Sequence, residues 1–232
     1  MERLLTYWLC FVVFVCVGAV SGPSAQGAAQ STEPIYSTVF VVRHGEAYQN
    51  VSHPPDMPKE KLDSLTPRGV EQARKTGAYL KDRNIAAVIA SPTGRTRETA
   101  RIIAEGIGLK GSFSEDRAYA KMREGMTSEG RLADWSWREK QWREGRDPRP
   151  KGGESLADAT RRAVQALKIL IKKYPGKGLV IVTHSDICAG LAGHADGTPY
   201  PKRYEKHRIS PASVIEIAVS PDGTWVLLPE GE

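Results

Sequence analysis

The chain has 232 residues and a mass of 25.4 kDa, room for one domain with a sizeable core plus a targeting segment, which argues against a multidomain machine. Its 40% hydrophobic and 26% charged residues, with 22 glycines and 15 prolines, sit near globular averages and argue against coiled coil, collagen or wholesale disorder. Thirty-three Lys and Arg against 27 Asp and Glu give a net charge of +6 and a pI near 9.2. The bias suits anionic ligands, but a surplus of this size on this length does not make a nucleic-acid-binding protein.

Leu9 to Val20 is an uncharged apolar run that follows Met1-Glu2-Arg3. It is too short to span a bilayer alone and matches the hydrophobic region of an export signal, with small residues after it at Ser21 to Ala29. Arg3 is offset by Glu2 and no A-x-A cleavage site follows, so an uncleaved anchor stays open. Two of the three cysteines, Cys10 and Cys16, fall in this run; Cys188 is then alone in the remainder, where no intrachain disulfide can form. The signal or anchor is placed at residues 1–29, a small, polar, aperiodic linker at 30–35, and a single domain at 36–229.

Ser37 to Val42 (STVFVV) predicts a strand buried on both faces, running into Arg43-His44-Gly45-Glu46. Thr66-Pro67 supplies an N-cap and first-turn proline for a helix whose Val70, Ala73, Gly77 and Leu80 recur at helical spacing. Ala86 to Ala90 predicts a second buried strand, broken by Ser91-Pro92, and Thr93 to Glu105 a further helix. Ser155 caps a long amphipathic helix with Leu156, Ala159, Ala163, Leu167, Leu170, Ile171 and Tyr174 inward, stopped by Pro175-Gly176. Leu179 to Thr183 predicts a third strand ending at His184-Ser185-Asp186, with a helix from Ile187. Val214 to Val219 and Thr224 to Leu228 predict a closing hairpin.

Short apolar strands alternating with longer helices imply an α/β fold, a mostly parallel central sheet with helices on both faces. Ligands bind such sheets outside the carboxyl ends of the strands, and three polar clusters fall at those ends: Arg43-His44, Ser91 to Arg95, and His184-Ser185. Arginine's planar fork matches phosphate oxygens, so Arg43 and Arg95 from separate strand ends can clamp a dianion. A histidine beside them serves as nucleophile when neutral or as stabilising cation when protonated, and His44 and His184 are expected to supply one of each. Any one of these residues alone is ordinarily structural or superficial; four at three strand ends are harder to dismiss. The sequence has no H-E-x-x-H, paired cysteine or Asp-rich loop, so no metal and no cofactor is expected.

These residues carry a resemblance. Val41-Val42-Arg43-His44-Gly45-Glu46 resembles the R-H-G-E signature of the histidine phosphatase superfamily, which includes phosphoglycerate mutases and their phosphatase relatives, and the likeness runs along most of residues 37–219. Asn50 matches R-H-G-x-x-x-x-N, Leu65 to Ala73 is similar to L-T-x-x-G-x-x-Q-A, Ser91 to Ala100 follows S-P-x-x-R-x-x-x-T-A with Glu98 where glutamine is usual, and Val182 to Ser185 stands in for V-S-H-G. The resemblance implies a phosphoglycerate mutase-like fold with His44 as the nucleophile that forms a phosphohistidine, Arg43, Asn50, Arg95 and Ser185 around the phosphoryl group, and His184 completing the pocket. Met122-Arg123-Glu124 resembles the family's L-x-E, which makes Glu124 the expected proton donor; Ser128-Glu129-Gly130 resembles W-E-G at shorter spacing and without the tryptophan, which keeps Glu129 open. Gly153-Glu154-Ser155 resembles G-E-S before the long helix.

Between Arg131 and Lys151 lie seven basic and four acidic residues with Trp135, Trp137 and Trp142 interleaved. Such a pattern grips nucleic acid or a membrane headgroup in some proteins; an insertion shaping the mouth of a phosphate pocket is the simpler account. The expected function is an exported, metal-independent phosphomonoesterase acting on a small phosphorylated substrate, with membrane contact only through the N-terminal segment and no nucleic-acid partner. A mutase and a non-catalytic anion binder are the alternatives.

Overall fold

The computed structural model describes residues 36–229; the signal or anchor expected over 1–29 and the linker at 30–35 lie outside the described residues. In chain order the elements are β1 (Ser37–Arg43), the single turn α1 (Lys59–Leu62), α2 (Pro67–Leu80), β2 (Ile85–Ala90), α3 (Gly94–Gly106), β3 (Ser114–Glu115), α4 (Trp135–Arg143), α5 (Leu156–Lys173), β4 (Gly178–Thr183), α6 (Ser185–Ala195), α7 (Tyr200–Lys206), β5 (Val214–Val219) and β6 (Trp225–Leu227). The six strands form one sheet in the order β3-β2-β4-β1-β5-β6. The first four in that order run parallel, while β5 pairs antiparallel with β1 and with β6. The expected α/β architecture is the observed one.

The period-2 alternation of side chains across a strand assigns each face its own core. Val39, Val41, Leu179 and Ile181 join Leu156, Ala163 and Leu167 of α5 and Ile187 and Leu191 of α6. Phe40, Val42, Val180 and Val182 join Leu80 of α2 and Ala100, Ile103 and Ala104 of α3. The helices start where the sequence caps them. Thr66 Oγ1 accepts from Gly69 N at 3.0 Å and Ser155 Oγ from Asp158 N at 3.1 Å, each satisfying a first-turn amide that otherwise has no partner.

The ladder brings the three strand ends to one level. Arg43 pairs with Thr183 in the β1–β4 register. His44 N donates to Thr183 O at 2.9 Å and Ser91 N to Val182 O at 2.9 Å, so the polar clusters after β1, β2 and β4 leave the sheet side by side.

Four elements were not expected from the sequence, the first of them the single turn α1. β3 is two exposed residues pairing with Ile89 and Ala90. The helix α7 begins after Pro199, and α4 folds the tryptophan-rich segment into a nine-residue helix capped by Asp134, whose carboxylate accepts from Trp137 N at 2.9 Å.

Candidate active site

Glycine makes the first wall possible. A Cβ on Gly45 would stand 2.7 Å from Gly69 O, and one on Gly69 would collide with Glu46 O, so the start of α2 packs backbone to backbone against Arg43-His44-Gly45-Glu46. Thr66 Oγ1 also donates to Glu46 Oε1 at 2.9 Å, and Glu46 N donates to Gln72 Oε1 at 2.9 Å. The loop carrying His44 is thus fixed by the helix that follows it in sequence.

His44 and His184 are each 4% exposed, and their ring centroids lie 5.4 Å apart. Arg95, 6% exposed, stands between them: its Nε is 3.2 Å from His44 Nε2 and its Nη2 is 3.1 Å from His184 Nδ1. A guanidinium only donates, so both contacted ring nitrogens carry lone pairs. The protons therefore sit on His44 Nδ1, which donates to Gly45 O at 2.7 Å, and on His184 Nε2, which donates to Ser91 Oγ at 2.8 Å. Both imidazoles are neutral. Burial and then the charge of Arg95 pull His44 down to about 3 and hold His184 well below the ordinary histidine value. In the free protein the buried arginine shared by both histidines disfavours a second positive charge, so a cationic role for one ring requires an anion in the cavity.

Arg43, Asn50, Glu124 and Ser185 line the same cavity of about 150 Å³, together with Lys121, Met122, Trp135, Arg138 and Asp186. Arg43 is anchored through Nη1 to Ile209 O at 2.7 Å, and its buried Nε has no hydrogen-bond partner. Asn50 lies at the rim, with Oδ1 accepting from Ala47 N at 3.0 Å. Ser185 opens α6 directly after His184, so the positive end of an 11-residue helix begins at the cavity wall. Glu124 lies on the wall, paired with Lys121 Nζ at 2.9 Å. Glu129 does not line the cavity; it is exposed, and Ser128 Oγ donates to it at 2.7 Å.

Sequence reasoning did not single out four of the residues that build this cavity, although Trp135 and Arg138 lie in the tryptophan-rich segment expected to shape its mouth. Asp63 receives Arg95 Nη1 and caps α3 by accepting from Gly94 N at 2.6 Å, orienting the arginine that touches both histidines. Asp186, buried, accepts from Met122 N at 2.6 Å and ties the β4 end to the Glu124 segment; burial raises its pKa. Trp135 lines the cavity with its ring edge against Tyr204 at 4.6 Å. Arg138, on the same helix, is almost fully buried. Asp186 stands two residues after His184, a signal available in the sequence; Asp63 acts across 32 positions and left none, and nothing local marked Arg138 as buried.

The chain matches the sequence model of the histidine phosphatase superfamily, branch 1, over residues 39–230, and it belongs to that superfamily. It is an enzyme of the histidine phosphatase kind. It is 31% identical over 169 residues to a "Probable phosphoglycerate mutase GpmB" of Erwinia tasmaniensis, covering 69% of this chain and 75% of that one. With the protein of the same name from Yersinia enterocolitica it shares 29% over 205 residues, 84% of this chain and 92% of the other. Among solved structures, a mycobacterial glucosyl-3-phosphoglycerate phosphatase complexed with vanadate superposes with a TM-score of 0.64 at 21% identity, over 82% of this chain and 96% of that one. A phosphoserine phosphatase from Entamoeba histolytica in complex with phosphoserine gives a TM-score of 0.63 at 22% identity, over 83% and 95%. These superpositions establish a shared fold.

Proposed function

We propose that the protein hydrolyses small phosphomonoesters through a phosphohistidine at His44, without a metal. The observation that carries this is the single guanidinium of Arg95 reaching His44 Nε2 and His184 Nδ1 at 3.2 and 3.1 Å, which puts a nucleophilic lone pair, a second imidazole and a fixed cation around one small cavity. Proton placement supports it as well. With Nδ1–H committed to Gly45 O, His44 presents Nε2 as its only lone pair and stays neutral under acidic conditions, so no base is needed to activate it. The unpartnered Nε–H of Arg43 supplies a donor awaiting an acceptor.

In the free protein Arg95 Nε–H occupies the lone pair that attack requires. An arriving phosphoryl group takes the donors of Arg95 onto its own oxygens and leaves His44 Nε2 facing phosphorus. In the first displacement the Nε2–P bond forms as the P–O bond to the alcohol breaks, and the leaving oxygen takes a proton from the Glu124 carboxyl. The charge spread over the equatorial oxygens meets Arg43, Arg95, the amide of Asn50 and the start of α6 at Ser185, and it meets His184 once the bound dianion has drawn a proton onto His184 Nδ1. In the second displacement water attacks phosphorus, its proton passes to the Glu124 carboxylate, and the N–P bond breaks to release inorganic phosphate and neutral His44.

The curated relatives are named as mutases, and a mutase would return the phosphoryl group to a second hydroxyl instead of to water. We favour hydrolysis because the N-terminal apolar run fits export away from cytosolic glycolysis, and we place the enzyme outside the cytoplasm on that reading. The deciding experiment follows inorganic phosphate release from a panel of phosphomonoesters in EDTA, with His44→Ala as control and 3-phosphoglycerate isomerisation in parallel. Release that persists in EDTA and vanishes in His44→Ala supports the proposal. Isomerisation without release makes the protein a mutase, and phosphate-ester binding with neither reaction makes it a binder.

A further inference from the structure

Seven basic and three aromatic side chains between residues 131 and 151 find no use in the phosphoryl chemistry, yet one of the basic ones is inside the molecule. Arg138 on α4 is 2% exposed, and its hydrogen-bond acceptors are three main-chain carbonyls and a thioether. Nη1 donates to Glu154 O at 2.9 Å and lies 3.7 Å from Met122 Sδ; Nη2 donates to Arg123 O at 2.8 Å and to Glu124 O at 2.6 Å. A buried guanidinium is costly unless its donors are satisfied, and here the segment bearing the candidate acid satisfies most of them.

The neighbours of Glu124 have further supports. Met122 N donates to Asp186 at 2.6 Å, Arg123 N to Glu154 Oε2 at 3.1 Å, and Glu154 N to Arg123 O at 3.1 Å. The turn that follows is set by Gly125, at φ +71°, whose Cβ would stand 2.5 Å from Gly153 N. Among the described residues the carbonyl of Glu124 itself is held by Arg138 alone. The aromatic residues around it keep α4 in place: Trp142 and Trp135 pack on Tyr204 of α7 at 5.3 and 4.6 Å.

We infer that Arg138 is a positioning residue for proton transfer, fixing the main chain of Glu124 so that its carboxyl stands over the leaving oxygen as the P–O bond breaks. The inference rests on the reading of Glu124 as the proton donor. It assigns the tryptophan-rich helix a task, to carry one guanidinium into the acid segment.

The test separates proton donation from phosphoryl binding by the leaving group. p-Nitrophenolate departs with little help, whereas an alkoxide needs the proton. Arg138→Met and Arg138→Lys are compared with the unaltered enzyme on p-nitrophenyl phosphate and on glycerol phosphate, reading kcat/KM, which reports the first displacement. General acid catalysis is worth ~10²–10⁴-fold, and a misplacement of about 1 Å costs up to ~10²-fold. Arg138→Met is therefore expected to lose ~50–100-fold on glycerol phosphate and under ~5-fold on p-nitrophenyl phosphate, with inhibition by inorganic phosphate unchanged. Arg138→Lys, with one ammonium for three carbonyls, should recover part of the loss, and it decides the matter if the methionine variant does not fold. Equal losses on both esters, or none, overturn the inference. Glu124→Gln keeps the two readings apart: if it lacks the leaving-group dependence, the acid assignment fails; if it has that dependence and the Arg138 variants lack it, only the positioning role fails.

Discussion

Two neutral, buried histidines make the free protein sensitive to acid in a way that can be worked out. His44 has an ordinary value of 6.5 when exposed in the unfolded chain and about 3 in the fold, so between those limits the unfolded state binds the extra proton. Stability from this group is therefore complete above pH 6.5 and is lost as pH falls, at about 1.4 kcal/mol per pH unit per proton. Between pH 6.5 and 5.0 His44 alone costs ~2 kcal/mol, a large part of the ~5–15 kcal/mol that holds a typical domain together. His184 adds to the loss with the same sign, since burial and Arg95 hold it neutral too. Urea unfolding at pH 7.5 and 5.0, in buffer free of phosphate, measures this for the unaltered protein and for His44→Gln, whose amide does not titrate. Contributions from carboxylates are common to both and cancel in the comparison. The expected result is a drop between the two pH values smaller by ~2 kcal/mol in His44→Gln. Sulfate, a dianion at both pH values, favours the protonated rings and should stabilise the unaltered protein more at pH 5.0 than at 7.5. Identical pH dependence in the two proteins would refute the buried neutral pair.

Arg95→Met removes the donor shared by both rings and should lower kcat/KM by ~10²–10³-fold, as loss of a preorganised donor does; a loss under tenfold would contradict its central place. The kcat/KM profile on p-nitrophenyl phosphate should show no inflection near pH 6.5 belonging to His44, because that group titrates at about 3 in the free protein. Gly69→Ala drives a methyl into Glu46 O and should destabilise by ~1–3 kcal/mol while lowering activity. Gly130→Ala, at φ +73° with nothing within 4 Å of the added methyl, should cost only ~1–2 kcal/mol of backbone strain and leave activity intact. Thermal unfolding and steady-state rates check both.

The sequence made the sheet legible because its strands are short apolar runs whose ends are polar. Val41-Val42 running into Arg43-His44, and Val182-Thr183 into His184, mark both strand and site in one stretch. The caps Thr66 and Ser155 were readable for the same local reason. β3 was not, since two exposed residues, Ser114 and Glu115, carry no pattern. α4 was hidden by spacing: Trp135, Trp137 and Trp142 do not share one helical face, and Trp137 stays half-exposed while Trp142 is buried. Arg138 shows the deeper limit. An arginine in a charged stretch reads as surface, and its burial depends on carbonyls 14 to 16 residues away that the fold alone gathers. Asp63 reaches Arg95 across 32 positions, so the residue that orients the central guanidinium has no local signature either.

The most direct measurement quenches the enzyme with alkali during turnover of a ³²P-labelled phosphomonoester and maps the label. The expected result is phosphate bound to the protein at His44, stable in alkali, discharged in acid, and missing from His44→Ala. Rapid hydrolysis with no protein-bound label at any quench time, or label that survives in His44→Ala, would contradict it.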